Sequence, residues 1–413
     1  YFEANLIEII EPSLNRVAPK CEHFGVCGGC KWQNMSYEAQ LKFKQKEISH
    51  NLKIFSGMII PEIDHIHAAP KPYFYRNKME YTFSDQRWLT SEEITNKSLP
   101  IEKKGLGFHK AGMWDKVVDI QQCHLQPEPA NEIRNAIKTF ALEHGLDFFN
   151  PREQMGFLRS LMIRNSSHGE IMVLIQFFKE NKAQREALLE HLKKHFDITS
   201  LLYCINSKAN DTLYDQEIIC YDGKTFIMEE MEGLNFKINA KSFFQTNTEQ
   251  AYELYKITRD FAGLKGKELV YDLYTGTGTI AQFIAKDCNR VVGVESVPEA
   301  IEAANTNAKE NGIKNAFFEV GDMRRVFNQD FINRHGKADV VIADPPRNGM
   351  HPAVVKQLLF LQPEKIVYVS CNPSTQARDL FLMKDHYKLV RSKAIDLFPQ
   401  TQHVENVVLL EKI

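Results

Sequence analysis

The order of apolar runs in this 413-residue chain predicts an α/β protein in two parts. A doubly wound parallel sheet lies C-terminal, behind an α+β region. Two observations carry this. From about residue 236, short apolar runs (ELVYDLY, RVVGVES, NAFFEVGD, ADVVIADPP, KIVYVSCNP) alternate with helical stretches (TIAQFIAKD, VPEAIEAANTNAKENG, HPAVVKQLLFL, STQARDLFLMK). That rhythm belongs to parallel strands with helices on both faces. Between 60 and 235, shorter strands (MEYTFSD, GLGFHK, WDKVVDI, LMIRNSS, IMVLIQFF) surround two helical patterns, PANEIRNAIKTFALEHG and NKAQREALLEHLKKHF.

In chain order, residues 1–10 read as a strand (ANLIEII), and a proline-bounded linker follows. Three cysteines, Cys21, Cys27 and Cys30, crowd into CEHFGVCGGC. Residues 36–55 have helical spacing, with Leu41, Ile48 and Leu52 near one face. These readings divide the chain at 1–10, 11–235 and 236–413. No apolar run approaches the roughly 20 residues of a membrane-spanning helix. The N-terminus has no basic stretch leading into an apolar one, so no signal peptide is read. Eight cysteines spread over this length do not resemble a secreted disulfide scaffold. The expectation is a cytoplasmic protein with no membrane and no obligate protein partner, monomeric by default. A net charge of −2 argues against a wholly basic surface but leaves room for a local basic face.

LVYDLYTGTGTIAQFIA runs strand, glycine loop, helix. Gly276 and Gly278 permit a tight turn and close backbone approach to a ligand at the helix start. Glu295, ending the next strand, is placed to accept hydrogen bonds from ribose hydroxyls. Asp322, after FFEV, is placed to reach an adenine. The third glycine of the dinucleotide fingerprint is missing, which favours S-adenosylmethionine over NAD.

Asp344, Pro345, Pro346 and Arg347 fall at the carboxyl end of one strand, and Cys371 at the end of the next. Both ends border the crevice where open α/β sheets bind ligands. A cysteine there can attack as a thiolate; Cys204, Cys220 and Cys288 read as structural. Glu405, two residues after His403, is a carboxylate able to take a proton beside that crevice. Cys21, Cys27 and Cys30, spaced C-x5-C-x2-C, join Cys123 as four thiolates. Zinc and a [4Fe–4S] cluster both accept such a set. PKPYFYRNKMEYTF interleaves Lys71, Arg76 and Lys78 with aromatic residues. That suits either single-stranded RNA or a hairpin with aromatics inward.

Together these segments resemble the S-adenosylmethionine-dependent RNA uracil-5 methyltransferases. The resemblance rests on CEHFGVCGGCKWQ, YRNKMEYTF, KSFFQTN, DLYTGTGT, ADPPRNGM, SCNPSTQARDL and FPQTQHVENV, and covers nearly the whole chain. It implies a Rossmann-like methyltransferase domain, RNA as partner, Cys371 as nucleophile and Glu405 as the base for the C5 proton. It implies that Gln245, Tyr274, Glu295 and Asp344 line the methyl-donor pocket. Thr279 stands where many members have Asn, and Thr275 where Cys is frequent. The cysteines resemble the iron–sulfur branch, which implies a [4Fe–4S] cluster over zinc and 23S ribosomal RNA over transfer RNA. Residues 1–10 would be the last strand of an N-terminal TRAM β-barrel, and residues 33–65 would pack on the catalytic domain. Two rivals differ in chemistry: an amino-group methyltransferase, which also uses D-P-P loops, and a non-catalytic iron–sulfur RNA-binding protein.

Overall fold

The computed structural model describes residues 7–95 and 101–413. Of the strand expected over 1–10, residues 1–6 lie outside the described residues, and residues 7–10 pair with no strand among the described residues.

The C-terminal sheet has eight strands. Their order is Asp64–His67, Tyr387–Ile395, Glu405–Lys412, Lys365–Ser370, Val340–Ala343, Leu269–Leu273, Arg290–Glu295 and Ala316–Val320. The last five run parallel, while Glu405–Lys412 is antiparallel to both of its neighbours. Successive side chains enter opposite cores. Val270, Val291, Ile342 and Val367 meet the helices Thr248–Ala262 and Thr279–Ile284 on one face. Tyr271, Val292, Val341 and Ile366 meet the helices Pro352–Leu361 and Pro373–Met383 on the other. Burial on both faces is why these strands read as unbroken apolar runs.

The second sheet has seven strands, ordered Val117–Asp119, Gly105–His109, Lys78–Ser84, Leu158–Asn165, Ile171–Phe177, Ser200–Ile205 and Ile219–Gly223. Only Ile171–Phe177 and Ser200–Ile205 are parallel, joined through the helix Lys182–His195. That helix and Ala130–Glu143 cover one face over Tyr81, Leu161, Val173 and Ile175. The other face does not end at water. Met162, Met172, Leu174 and Leu202 join the hairpin Phe226–Met231/Leu234–Asn239 in the same core as the C-terminal sheet. The hairpin spans the point where the sequence changes rhythm.

The helix Tyr37–Phe55 starts at Ser36, whose side chain accepts from the Ala39 N–H. Its Ile48 and Leu52 are fully buried in the C-terminal core, against Pro373–Met383. The strand Asp64–His67 then adds to the edge of the C-terminal sheet, parallel to Tyr387–Ile395.

Candidate active site

The sheet order reverses between Leu269–Leu273 and Val340–Ala343, and the strands flanking that switch end at one crevice. Register fixes who meets whom there. Ser370 pairs with Asn406, so Cys371 comes level with Glu405 one residue beyond. Ala343 pairs with both Leu273 and Tyr368, which carries Asp344 and Tyr274 to the same edge. A cavity of about 1400 Å³ opens there. Its wall includes Gln245, Tyr274, Gly276, Glu295, Asp344, Cys371 and Glu405.

Three other expected residues lie outside that wall. Gly278 caps the helix Thr279–Ile284 at φ +74, and a Cβ there would sit 2.7 Å from Phe318. Its missing side chain serves packing. Gly276, at φ +55, has no atom within 4 Å of where a Cβ would stand, so its bareness faces the cavity. Thr279 is buried, with its hydroxyl 3.3 Å from that of Thr277. Asp322 turns to Arg324, whose Nη2 donates to it at 2.6 Å; these bonds hold its carboxyl down at about 2.

Glu295 is already engaged. Its Oε1 accepts from the Ser296 N–H at 2.7 Å and the Val297 N–H at 3.1 Å, and its Oε2 from the Gly276 N–H at 3.3 Å. The carboxylate is thereby held beside the open face of the glycine loop, which fits the ribose of a bound nucleoside.

Low dielectric dominates the chemistry. Burial, then the charges of Glu405 and Asp344, push the Cys371 thiol up to about 11; Arg347 opposes them. Burial and Asp272 push Asp344 up to about 7. Burial and Asp344 raise Glu405 well above an ordinary carboxylate, again against Arg347. A cation entering the cavity favours the ionised form of all three groups. A sulfonium methyl donor is such a cation.

The cavity continues past Arg76, Lys241, Phe243, Thr401 and His403 into a second one of about 490 Å³. Tyr214 and Phe243, 77% and 69% exposed, stand on the shared rim. Arg76, Lys78 and Arg164 line the smaller cavity, giving cations beside aromatic faces. The motif PKPYFYRNKMEYTF divides between its two readings. Tyr75, Tyr81 and Phe83 are core residues, while Arg76 and Lys78 line the cavities. Sequence reasoning left Tyr214 and Phe243 without a role, because nothing in a linear pattern marks an aromatic side chain as exposed.

Cys21, Cys27, Cys30 and Cys123 line this smaller cavity, all as free thiols. Burial raises all four, Cys27 to about 11 and Cys30 to about 12. The charge of Cys123 acts in the same direction on Cys21, Cys27 and Cys30. The Gly29 N–H points at Cys27 Sγ, 3.4 Å away. Among the described residues, no group of three or more His, Cys, Asp or Glu is drawn together tightly enough to hold a metal ion. The donor set itself, four thiols on one cavity, fits a thiolate-bound metal or cluster.

A family model for tRNA (uracil-5-)-methyltransferases matches residues 162–413. An uncharacterized RNA methyltransferase of Bacteroides thetaiotaomicron is 51% identical over 415 residues, covering 100% of this chain and 91% of the relative. Another, of Porphyromonas gingivalis, is 52% identical over 418 residues, covering 99% and 90%. Among solved structures, the Pyrococcus abyssi tRNA (uracil-54, C5)-methyltransferase in complex with S-adenosyl-L-homocysteine is 32% identical. It covers 94% of this chain and 86% of that one, with a TM-score of 0.74. The chain belongs to the RNA uracil-5 methyltransferase family, whose members are S-adenosylmethionine-dependent enzymes.

Proposed function

We propose that this enzyme methylates C5 of a uridine in 23S ribosomal RNA, with Cys371 as nucleophile and Glu405 as base. The supporting observation is the shared register of two strand ends, which brings Cys371 and Glu405 together on the wall of one cavity with Asp344 and Glu295.

Uracil C5 is a poor nucleophile until a thiolate adds at C6. Cys371 supplies that thiolate, and addition turns the ring into an enolate. S-adenosylmethionine, when bound, supplies a methyl group on a sulfonium cation. The enolate C5 would take that methyl group as the sulfur–methyl bond breaks and S-adenosylhomocysteine leaves, and Glu405 would then remove the C5 proton. The electrons of that C–H bond form the C5–C6 double bond and expel Cys371 as thiolate. Each step is easier than direct methylation. A carboxylate raised by burial is a stronger base for this than an exposed one. Gln245, Tyr274, Glu295 and Asp344, on the wall of the cavity, would hold the donor. Asp322 and Thr279 join them only if their side chains turn from their present partners. The base reaches the cavity from a loop or by flipping out of a helix.

Cys21, Cys27, Cys30 and Cys123 would hold a [4Fe–4S] cluster in this reading, with zinc as the alternative. Transfer RNA is the alternative substrate, favoured by two observations: the matching family model and the solved relative are both of transfer-RNA methyltransferases.

Labelled methyl transfer to unmodified 23S transcript, transfer RNA and DNA, with nucleoside analysis, tests the reading. 5-Methyluridine in ribosomal RNA is expected. 5-Methyluridine in transfer RNA alone moves the substrate, and label on an amino nitrogen removes the mechanism. Cys371→Ala is expected to abolish turnover. Glu405→Gln is expected to accumulate a covalent RNA–enzyme adduct that survives a denaturing gel.

A further inference from the structure

The segment between the last two strands, Asp396–Gln400, leads directly to Glu405. Every carbonyl in it accepts a hydrogen bond from a residue far away in the sequence. Gln250 donates to Asp396 O at 2.8 Å, Asn247 to Leu397 O at 2.9 Å, and Lys44 Nζ to Phe398 O at 3.1 Å. The Tyr75 hydroxyl donates to Pro399 O at 3.0 Å. The backbone N–H groups of Lys31 and Trp32 both donate to Gln400 O, at 2.9 and 3.0 Å. These two residues directly follow Cys30.

Gln400 is the tightest point of this arrangement. It is buried, and it holds φ at +69, where a non-glycine residue is disfavoured. Strain of this kind persists only where the surroundings over-determine it. Gln40, fully buried, supplies the surroundings. Its Oε1 accepts from the Gln400 N–H at 3.0 Å. Its Nε2 donates to Gln400 Oε1 at 3.0 Å, and to Trp32 O and Met35 O at 3.1 and 3.0 Å. One amide thus clasps the cysteine-bearing segment and the base-bearing segment together.

We infer that Gln40 is a positioning residue for proton removal: by locking Gln400 to the segment after Cys30, it fixes Glu405 against the C5 hydrogen. This rests on the roles proposed above for Cys371 and Glu405. Cys371 sits on another strand and helix boundary, outside the clasp. Losing Gln40 therefore slows proton removal more than thiolate addition, and the covalent adduct accumulates. A misplacement of about 1 Å at a catalytic group costs on the order of 100-fold in rate.

The test uses Gln40→Met, which keeps the volume and removes the four hydrogen bonds, and Gln400→Gly, which suits the left-handed backbone. Each is compared with Glu405→Gln for gel-stable adduct with RNA, methyl-transfer rate and S-adenosylhomocysteine affinity. Expected are a 10- to 100-fold fall in rate, adduct accumulation like that of Glu405→Gln, and donor affinity within twofold of the parent. Gln400→Gly follows in the same direction and keeps the test open should Gln40→Met fail to fold. Product and adduct falling together would overturn the inference, as would an unchanged rate. No adduct with Glu405→Gln itself would overturn the mechanism on which the inference rests.

Discussion

At the residue scale, the active-site groups are poorly ionised as they stand. Cys371, at about 11, is almost wholly thiol at neutral pH. Burial is the main cause, and two nearby carboxyl groups reinforce it. A positive charge in the cavity opposes both effects, because it stabilises thiolate and carboxylate together. S-adenosylmethionine and S-adenosylhomocysteine differ at the sulfur by that charge. The prediction is that iodoacetamide alkylates Cys371 slowly at pH 7 and faster as pH rises towards 11. Saturating S-adenosylmethionine should move the profile to lower pH, and S-adenosylhomocysteine should not. Mass spectrometry of the Cys371 peptide reads this out; equal profiles with the two ligands would show that the sulfonium charge is not felt at the thiol. Sequence alone placed this cysteine at a strand end beside the D-P-P turn, where the structure has it on the cavity wall. It did not identify Gln40 or Gln400, since a buried amide bridging positions 360 residues apart leaves no local signature.

At the scale of elements, the strands and helices around the crevice were legible wherever the period was clean. The five parallel strands and the helix Tyr37–Phe55 follow the patterning to within a few residues. The helix Thr248–Ala262 is missing from the sequence expectation, although Asn247 and Gly263 cap it in the ordinary way. The two glycines of the cofactor loop look alike in the sequence, yet their surroundings differ. Alanine at Gly278 meets Phe318 at 2.7 Å and Ala304 at 2.9 Å, on a left-handed backbone. It should cost about 2 kcal/mol or more in urea unfolding, from backbone strain of about 1–2 kcal/mol plus overlap. Alanine at Gly276 meets no neighbour, so its stability cost should stop near that strain of about 1–2 kcal/mol. Its larger effect should be on S-adenosylhomocysteine affinity by calorimetry. If the two variants lose stability equally and bind equally, the distinction between packing glycine and cradle glycine fails.

At the scale of the whole molecule, the change of rhythm near residue 236 is not a boundary between independent bodies. The C-terminal sheet takes an edge strand from residues 64–67 and a covering helix from residues 37–55. Inside that contact, Lys44 Nζ meets Asp396 Oδ1 at 2.6 Å with both side chains fully buried, and the Tyr37 hydroxyl donates to Asp396 Oδ2 at 3.0 Å. Taking away one member of such a pair typically costs about 3–5 kcal/mol, because the other charge stays buried without compensation. Uncovering the sites of Ile48 and Leu52 removes roughly 1.5–3 kcal/mol of burial for each. The apolar loss alone is a large fraction of the stability of an ordinary domain, about 5–15 kcal/mol, and removing the helix also strips Asp396 of both partners. Residues 236–413 expressed alone should therefore aggregate, or unfold without a cooperative transition. Residues 33–70 fused ahead of 224–413 through a flexible linker should restore a single cooperative unfolding curve. Within that fused chain, Lys44→Ala should remove most of the gain. A monomeric 236–413 fragment with a sharp urea transition would show instead that the N-terminal helix is an accessory to the catalytic sheet. The two sheets would then be separable, as the sequence rhythm first indicates.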